Sequence, residues 1–181
     1  MNNLYFITGN KNKFQEVKQL LPYIKQLNLN LAEIQELNPQ KIIKQKLLSA
    51  FDYQKANFIV EDTSLYFDCW DNKLPGPMIK WFMKTLGGNG LYNLVAKYNN
   101  FHATAKTIIG YAKNKQKIYY FEGILHGIIT KPIGKNGFGW DQIFIPLSSD
   151  KTLAQISLSE KNQISMRKQA VSKLKKFLQF K

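Results

Sequence analysis

The sequence predicts a mixed α/β domain, and three observations support this fold class. Short apolar runs typical of buried strands alternate with longer segments whose apolar residues recur at helical spacing. The stretch from Phe101 to Thr130 is continuously β-like, and a polar turn at 113–116 predicts an antiparallel hairpin. A length of 181 residues suits one domain with its own core. We therefore expect strands and helices that mingle, rather than a purely parallel, doubly wound sheet.

The N-terminal segment predicts a strand, a tight turn and a helix. Leu4–Ile7 is an apolar run, Thr8–Asn10 is a polar turn, and apolar residues at helical spacing follow from about Lys13. A helix N-terminus favours a bound anion, and Lys11 adds a positive charge there. An ordinary strand–helix turn with surface lysines is an equally good alternative, because the segment is not a Walker A loop.

The next elements alternate between strand and helix patterns. Leu27–Leu31 alternates apolar and polar residues, which predicts a half-buried strand. Pro39 suits the first turn of a helix that continues to about Lys55. A short buried strand over Phe58–Val60 is predicted to end at two acids, and a second strand is predicted over Leu65–Cys69.

The second half of the chain begins with a rigid segment at 74–77. A helix is predicted after it, and the glycine-rich stretch 87–90 should break that helix before a second short one over 91–98. A further strand is predicted at 143–146. Ser157 and Glu160 match a capping box that precedes one last helix.

Composition and charge exclude several classes of protein. No apolar run approaches the ~20 residues of a membrane span, and no basic region followed by a long apolar run marks a signal peptide. Cys69 is the only cysteine, which excludes an internal disulfide and favours a reducing compartment, with the cytoplasm as the default. The formal net charge is +14, yet Arg167 is the only arginine among 26 basic residues. Because sequence-specific readers of nucleic acid depend on arginine, we expect no specific nucleic-acid partner.

Acidic residues at predicted strand ends are the first candidates for chemistry. Glu61 and Asp62 lie where α/β sheets place ligand sites, and adjacent side chains point to opposite faces, so only one should face a cleft. A carboxylate there is a natural Mg²⁺ ligand. Glu33 or Glu36 follows another strand, and either one could share the metal or belong to a solvated loop. A pair of acids that starts a turn is the alternative for Glu61 and Asp62.

Lysines and aromatic residues form the second group of candidates. Lys80 lies among apolar residues beside a Pro-Gly-Pro corner, and could reach a phosphate or extend into solvent. Phe138–Asp141 combines two aromatic rings with an acid, which suits a flat ring as ligand or, alternatively, a core anchor at a loop end. His102 and His126 have no partner pattern, so a zinc site is not expected.

Five segments, in order, resemble the motifs of the inosine triphosphate pyrophosphatase family, and the resemblance runs nearly end to end. These segments are Thr8–Lys13 with Glu16, Val60–Thr63, Leu74–Phe82, Phe138–Phe144 and Glu160–Ser165. The resemblance implies one domain over residues 1–181, with an elongated mixed β-sheet, flanking helices and two lobes around a central nucleotide cleft, usually as a homodimer. It implies Mg²⁺-dependent hydrolysis of inosine, deoxyinosine and xanthosine triphosphates to the monophosphate and pyrophosphate.

The resemblance also implies roles for individual residues. Asp62 would bind Mg²⁺ and help to activate water, and Glu33 would be the second metal ligand. Phosphates would be held by the first turn together with Lys46 and Lys80, whereas the base and sugar would be enclosed by residues from the second half of the chain. The implied substrate-binding residues are Thr8, Gly9, Asn10, Lys11, Asn12, Lys13, Lys46, Glu61, Thr63, Lys80, Phe138, Gly139, Trp140, Asp141, Lys161, Met166 and Arg167.

Two departures from the family pattern affect these expectations. Met166 stands where the family usually has histidine before the last helix, and methionine cannot donate a hydrogen bond to a purine 6-oxo group. Glu36 stands where a glycine is common, which leaves Glu33 and Glu36 as alternative metal ligands. A non-catalytic nucleotide- or RNA-binding protein that uses the positive charge is the alternative function.

Overall fold

The computed structural model describes residues 3–179, and it has the mixed α/β fold that the sequence predicts. Within this range the strands are β1 Leu4–Ile7, β2 Lys25–Leu27, β3 Asn57–Phe67, β4 Pro75–Gly76, β5 His102–Asn114, β6 Lys117–Ile129 and β7 Phe144–Pro146. The α-helices of the same range are α1 Lys11–Leu20, α2 Pro39–Ala50, α3 Ile79–Ala96, α4 Leu158–Ile164 and α5 Met166–Gln179. None of these helices combines the length and the apolar character needed to span a bilayer.

The strands of the described range form one mixed sheet. The order is β2–β1–β3–β5–β6–β7, and β4 pairs with β3 beside this path. β1 is parallel to β2 and to the first part of β3, whereas β4 and β7 run antiparallel to β3 and β6. β5 and β6 are separated by only two residues, so the predicted hairpin is confirmed.

The fold divides into two compact units. The first comprises the chain up to Asp62, Thr107–Gly123 and the residues from Arg167 onward. The second comprises Thr63–Lys106 and Ile124–Met166.

In the first unit, helices cover both faces of the sheet. α1 and α5 pack on one face in a cluster that includes Val17, Ile59 and Leu174. α2 packs on the other face in a cluster that includes Leu47 and Val60. Because Ile59 and Val60 are consecutive on β3, these two clusters show that successive β3 side chains alternate between the α1/α5 face and the α2 face.

In the second unit, a single large cluster joins the end of β3 to α3 and to the segment before α5. Phe67, Leu91 and Phe144 are among its fully buried members. The predicted break in α3 is confirmed: Gly87 has φ 65° and ψ −179°, which interrupts the helical backbone. A positive φ strains any residue with a Cβ, so glycine is required by the backbone at this point.

Two predicted elements in the first unit have different bounds. The predicted strand Leu27–Leu31 is wrong beyond Leu27, because β2 pairs only with β1 and the register ends at Ile7 opposite Leu27. Leu29 and Leu31 instead pack against the cluster on the α2 face. α2 ends at Ala50 rather than near Lys55.

The prediction that a strand ends at Glu61 and Asp62 is also wrong. β3 runs without interruption from Asn57 to Phe67, so the two predicted strands are one. Its first part pairs with β1 in parallel, its last part pairs with β4, and β5 is its neighbour on the other side of the sheet order, so β3 keeps strand partners after β1 has ended. The two acids therefore lie just beyond the parallel pairing with β1, where the register with that strand stops at Phe6 opposite Ile59.

The capping box is confirmed, but the single last helix is not. Ser157 and Glu160 exchange both hydrogen bonds of the box at the start of α4. Ser165 then adopts an extended conformation with φ −65° and ψ 151°, so α4 ends there and α5 begins at Met166. Lys161 and Arg167 consequently lie on different helices.

Candidate active site

The turn after β1 is organised by its own side chains. Asn10 caps α1, and its Oδ1 accepts hydrogen bonds from the backbone N–H groups of Asn12 (2.9 Å) and Lys13 (3.1 Å). Thr8 Oγ1 accepts from the N–H of Asn10. This cap makes α1 begin at Lys11, two residues before the predicted start. Since the cap satisfies two first-turn donors, the lysine side chains and the helix dipole are the groups that this end offers to an anion.

A buried ion-pair network joins α1, β3 and α5. Arg167 Nε donates to Glu61 Oε2 at 2.8 Å and Nη2 donates to Glu61 Oε1 at 3.3 Å, while Nη1 contacts Glu16 Oε2. Lys13 Nζ lies 3.2 Å from Glu61 Oε1. The side chains of Arg167, Glu16 and Glu61 are at most 2% exposed. Two cations and two carboxylates thus balance each other inside the first unit.

The charge state of Arg167 follows from this environment. Burial by itself lowers the pKa of the guanidinium, but the charges of Glu61 and Glu16 and their hydrogen bonds outweigh burial and raise the pKa above its ordinary value. Arg167 is therefore a permanent cation whose planar guanidinium bridges two carboxylates. Sequence reasoning assigned Arg167 to the base, and the structure pairs it with Glu16 and Glu61.

Asp62 lies on the opposite face of β3 from Glu61. Glu61 contacts α1 and α5 through Lys13 and Arg167, so strand alternation directs Asp62 to the face that α2 covers. Asp62 is 9% exposed, at the boundary between buried and half-buried. Glu61 thus belongs to the ion-pair network, and alternation along β3 assigns Asp62 to the α2 face.

Two further predicted residues meet near the α2 face. Lys46 Nζ lies 2.8 Å from Glu33 Oε1, with the lysine side chain 18% exposed and the glutamate 51% exposed. Leu31, two residues before Glu33, packs against the cluster on the α2 face, and Lys46 precedes Leu47 of that cluster. Asp62, Lys46 and Glu33 thus belong to the same side of the sheet.

Within the described residues, Glu36 makes only short-range hydrogen bonds, all at the start of α2. Its Oε1 accepts from the N–H groups of Leu37 (2.8 Å) and Asn38 (3.1 Å), and its Oε2 lies 3.0 Å from Lys41 Nζ. The hydrogen bond from Lys41, with smaller contributions from the backbone, lowers the pKa of Glu36. Glu36 is therefore engaged by the first turn of α2 and by Lys41, whereas Glu33 pairs with Lys46.

The donor set on the α2 face suits a hard cation. Within residues 3–179 no three His, Cys, Asp or Glu side chains lie close enough together to hold a metal ion by themselves. Mg²⁺ does not require such a cluster, because it usually keeps several waters and takes one or two carboxylates together with substrate phosphates. Asp62 and Glu33 are the carboxylates on this side of the sheet that could hold such a cation.

A second cluster of predicted residues lies in the second unit. Lys161 Nζ lies 2.6 Å from Asp141 Oδ2, and the same oxygen accepts from the N–H of Phe138 at 2.8 Å. Lys161 Nζ also lies over the Phe138 ring, 4.6 Å from its centroid. Gly137 has φ 75°, and a Cβ there would collide with Asp141. The loop is thus closed around a buried Lys161–Asp141 pair that leaves the Phe138 ring half-buried.

The other predicted residues of the second unit are placed differently. Trp140 is 8% exposed and packs edge-on against Phe144, as the core-anchor alternative expects. Met166 is 1% exposed within the hydrophobic cluster of this unit. Lys80 is exposed on the first turn of α3, with its ammonium 6.0 Å from the centroid of the exposed Trp81 ring. Gly139 is exposed and Thr63 is half-buried.

Glu16 belongs to the buried ion-pair network but is not among the predicted site residues. It lies on the inward side of α1 between Phe14 and Val17, and it is 1% exposed. A glutamate within an apolar stripe, in a chain with a single arginine, was the available signal for a buried pair.

A cavity of about 570 Å³ in the second unit contains none of the predicted site residues. Its lining residues are Cys69, Trp70, Asp71, Lys73, Leu74, Phe82 and Leu94. Burial raises the pKa of the Cys69 thiol, which disfavours the reactive thiolate and supports a packing role for this residue.

Comparison with known proteins identifies related sequences over almost the whole chain. The model of the Ham1 family matches residues 4–177. A protein named inosine triphosphate pyrophosphatase from Schizosaccharomyces pombe is 38% identical over 99% of this chain and 96% of its own length. Its namesake from Neurospora crassa is 42% identical over 95% of this chain and 90% of its own length. Inosine triphosphate pyrophosphatase 1 of Trypanosoma cruzi is 37% identical over 93% and 88% of the two chains.

Solved structures show the same fold. The Ham1 protein of Staphylococcus aureus superimposes with a TM-score of 0.81 at 24% identity, over 98% of both chains. A HAM1 protein from Coxiella burnetii gives a TM-score of 0.78 at 23% identity, over the full length of both. The mixed α/β architecture is therefore shared with these proteins.

Proposed function

Because this chain belongs to the Ham1 family, we propose that it hydrolyses the non-standard purine triphosphates of inosine, deoxyinosine and xanthosine to the monophosphate and pyrophosphate. The observation that carries this proposal is the 38% identity, over 99% of the chain, to a protein named inosine triphosphate pyrophosphatase. Pyrophosphate release from inosine triphosphate in the presence of Mg²⁺ is the experiment that tests it. Such an activity removes abnormal nucleotides from the precursor pool.

The first unit supplies the charges that this reaction needs. A triphosphate is a polyanion, and Lys11, Lys13 and Lys46 would neutralise its oxygens while the phosphate bond breaks. When Mg²⁺ is bound by Asp62 and Glu33, it would polarise the phosphate oxygens and add two positive charges. Asp62 would accept the proton of the attacking water, whose oxygen bonds to phosphorus as pyrophosphate leaves.

The base and sugar are assigned to the second unit. Phe138 offers a half-buried ring for stacking, with Gly139 beside it and the Lys161–Asp141 pair behind it. On the family resemblance, we also propose that the protein forms a homodimer. We further propose a cytoplasmic location, which the single cysteine favours.

We predict that Glu33 and Glu36 respond differently to loss of charge. In Glu33→Gln, the Mg²⁺ concentration for half-maximal activity should rise several-fold, because one of two metal carboxylates is gone. In Glu36→Gln the Mg²⁺ concentration for half-maximal activity should stay near the wild-type value, since Glu36 accepts hydrogen bonds from the first turn of α2. A Mg²⁺ titration of turnover for both variants checks this, and the opposite ranking would assign the metal to Glu36.

The structure buries Met166 in the hydrophobic cluster of the second unit, whereas the family resemblance sets this position beside the base. On the resemblance, we predict that Met166 weakens the preference for 6-oxo bases. Wild-type protein should prefer inosine over adenosine triphosphate in kcat/KM by less than related enzymes do, and Met166→His should raise that ratio by at least about 10-fold through a restored hydrogen-bond donor. Met166→Leu is the control, because it conserves volume without adding a polar atom. A large inosine preference in the wild type, or a His variant that retains its Tm and leaves the ratio unchanged, would refute this role for Met166.

A further inference from the structure

The outward side of the α1/α5 layer carries charge of one sign. Glu16 is the only acidic residue of the two helices, and it is buried and paired with Arg167. Apart from Lys11 and Lys13 at the start of α1, the lysines of the two helices are Lys18, Lys168, Lys173, Lys175 and Lys176, which we call the lysine face. All of these except the half-buried Lys168 are exposed. Lys173 Nζ donates to the backbone carbonyl of Glu122 on β6 at 2.7 Å. The lysine face is therefore a positive surface to which neither helix contributes an exposed carboxylate.

The residues around the lysine face are neutral and polar. Gln15, Gln19 and Gln179 are exposed on the same two helices, and none of the large exposed apolar side chains lies on α1 or α5. The inward sides of both helices are already buried in one cluster with β1 and β3. The lysine face thus offers charge and hydrogen-bond donors to a partner, and little apolar contact.

We propose that the lysine face binds the phosphodiester backbone of nucleic acid without regard to sequence. Lysine ammonium groups are point charges that pair with phosphate oxygens, and amide side chains can donate to the same oxygens. Base recognition is not expected, because the sole arginine is buried between Glu16 and Glu61 and no exposed aromatic ring lies on the two helices. This inference goes beyond the proposed function and does not depend on it.

The chemistry of the face favours nucleic acid over other polyanions. Exposed pairs between lysines and the carboxylates of an acidic protein contribute little affinity each. Stable attachment to an anionic membrane usually needs apolar anchors besides lysines, and the face has none. A nucleic acid carries condensed counterions whose release supplies the free energy of binding, so charge alone is sufficient.

Two triple variants separate the lysine face from overall charge. The test variant is Lys18→Gln, Lys175→Gln and Lys176→Gln. The control variant is Lys55→Gln, Lys97→Gln and Lys151→Gln, at three exposed lysines on other segments. Each variant lowers the formal net charge of +14 by the same amount. Binding of a fluorescent duplex DNA is measured by anisotropy, without Mg²⁺, between about 50 and 200 mM salt.

The wild type and the control variant should bind the duplex and lose affinity steeply as salt increases. For the test variant, the factor by which affinity falls between about 50 and 200 mM salt should be about 40-fold smaller than for the wild type, because three phosphate contacts are missing. The inference is overturned if the wild type does not bind at the lowest salt, or if both variants change equally. The inference is also overturned if phosphatidylserine vesicles bind the wild type more tightly than the duplex does and displace the duplex from the protein.

Discussion

Asp62→Asn is expected to lose pyrophosphate release by about 10²- to 10⁴-fold while the protein remains folded. The amide keeps the size of the side chain but neither accepts a proton readily nor carries the charge that a metal ion needs. The position of Asp62 supports this expectation: strand alternation directs it to the α2 face, near which Lys46 and Glu33 pair at 2.8 Å. Turnover of inosine triphosphate at saturating substrate and Mg²⁺ measures the effect.

Asp150→Asn is the matched control for this loss. Asp150 is exposed in the segment after β7, so the same chemical change there should leave turnover within about twofold. Circular dichroism and the urea midpoint of both variants separate a catalytic defect from a folding defect. Near-normal turnover of a folded Asp62→Asn variant would remove Asp62 from the mechanism.

Arg167→Met is expected to destabilise the protein by about 3–5 kcal/mol, the usual cost of removing one partner from a buried ion pair. The change takes the guanidinium away from two carboxylates with side-chain exposures of 2% or less, while Lys13 keeps its contact with Glu61. Urea unfolding at neutral pH measures the free energy of unfolding. Lys175→Met, at an exposed position of the same helix, is the control and should stay within about 0.5 kcal/mol of the wild type.

Two further variants keep this prediction testable if Arg167→Met does not fold. Arg167→Lys retains the positive charge but cannot bridge both carboxylates, so its destabilisation should be smaller. The double variant Glu16→Leu, Arg167→Met should be less destabilised than the sum of its single changes, because Glu16 is one of the two carboxylates that Arg167 contacts. Additive effects, or an Arg167→Lys variant as stable as the wild type, would show that the network contributes little to stability.

The elements predicted correctly are those whose cause is local. The strand–turn–helix at Leu4–Leu20, the capping box at Ser157 and the interruption at Gly87 depend on residues within a few positions of each other. The family could be inferred for a related reason, because its motifs are short segments whose order can be compared directly. Local chemistry is visible in a sequence without knowledge of which segments pair.

The strands predicted wrongly depend on partners that are distant in the chain. β3 continues past Glu61 and Asp62 because β5 and, at its end, β4 are its strand partners, and β2 stops at Leu27 because β1 has ended. The role of Glu16 requires that α1 and α5 share a face of the sheet, which brings together residues separated by 151 positions. Such pairings are set by tertiary contacts and not by the local pattern.

Product analysis with inosine triphosphate and Mg²⁺ tests the central claim most directly. The proposed function predicts one inosine monophosphate and one pyrophosphate for each triphosphate consumed, with no orthophosphate as a primary product. Orthophosphate as the first product would indicate a phosphatase of another class. Absence of turnover across a panel of purine and pyrimidine triphosphates would contradict an enzymatic role for this chain.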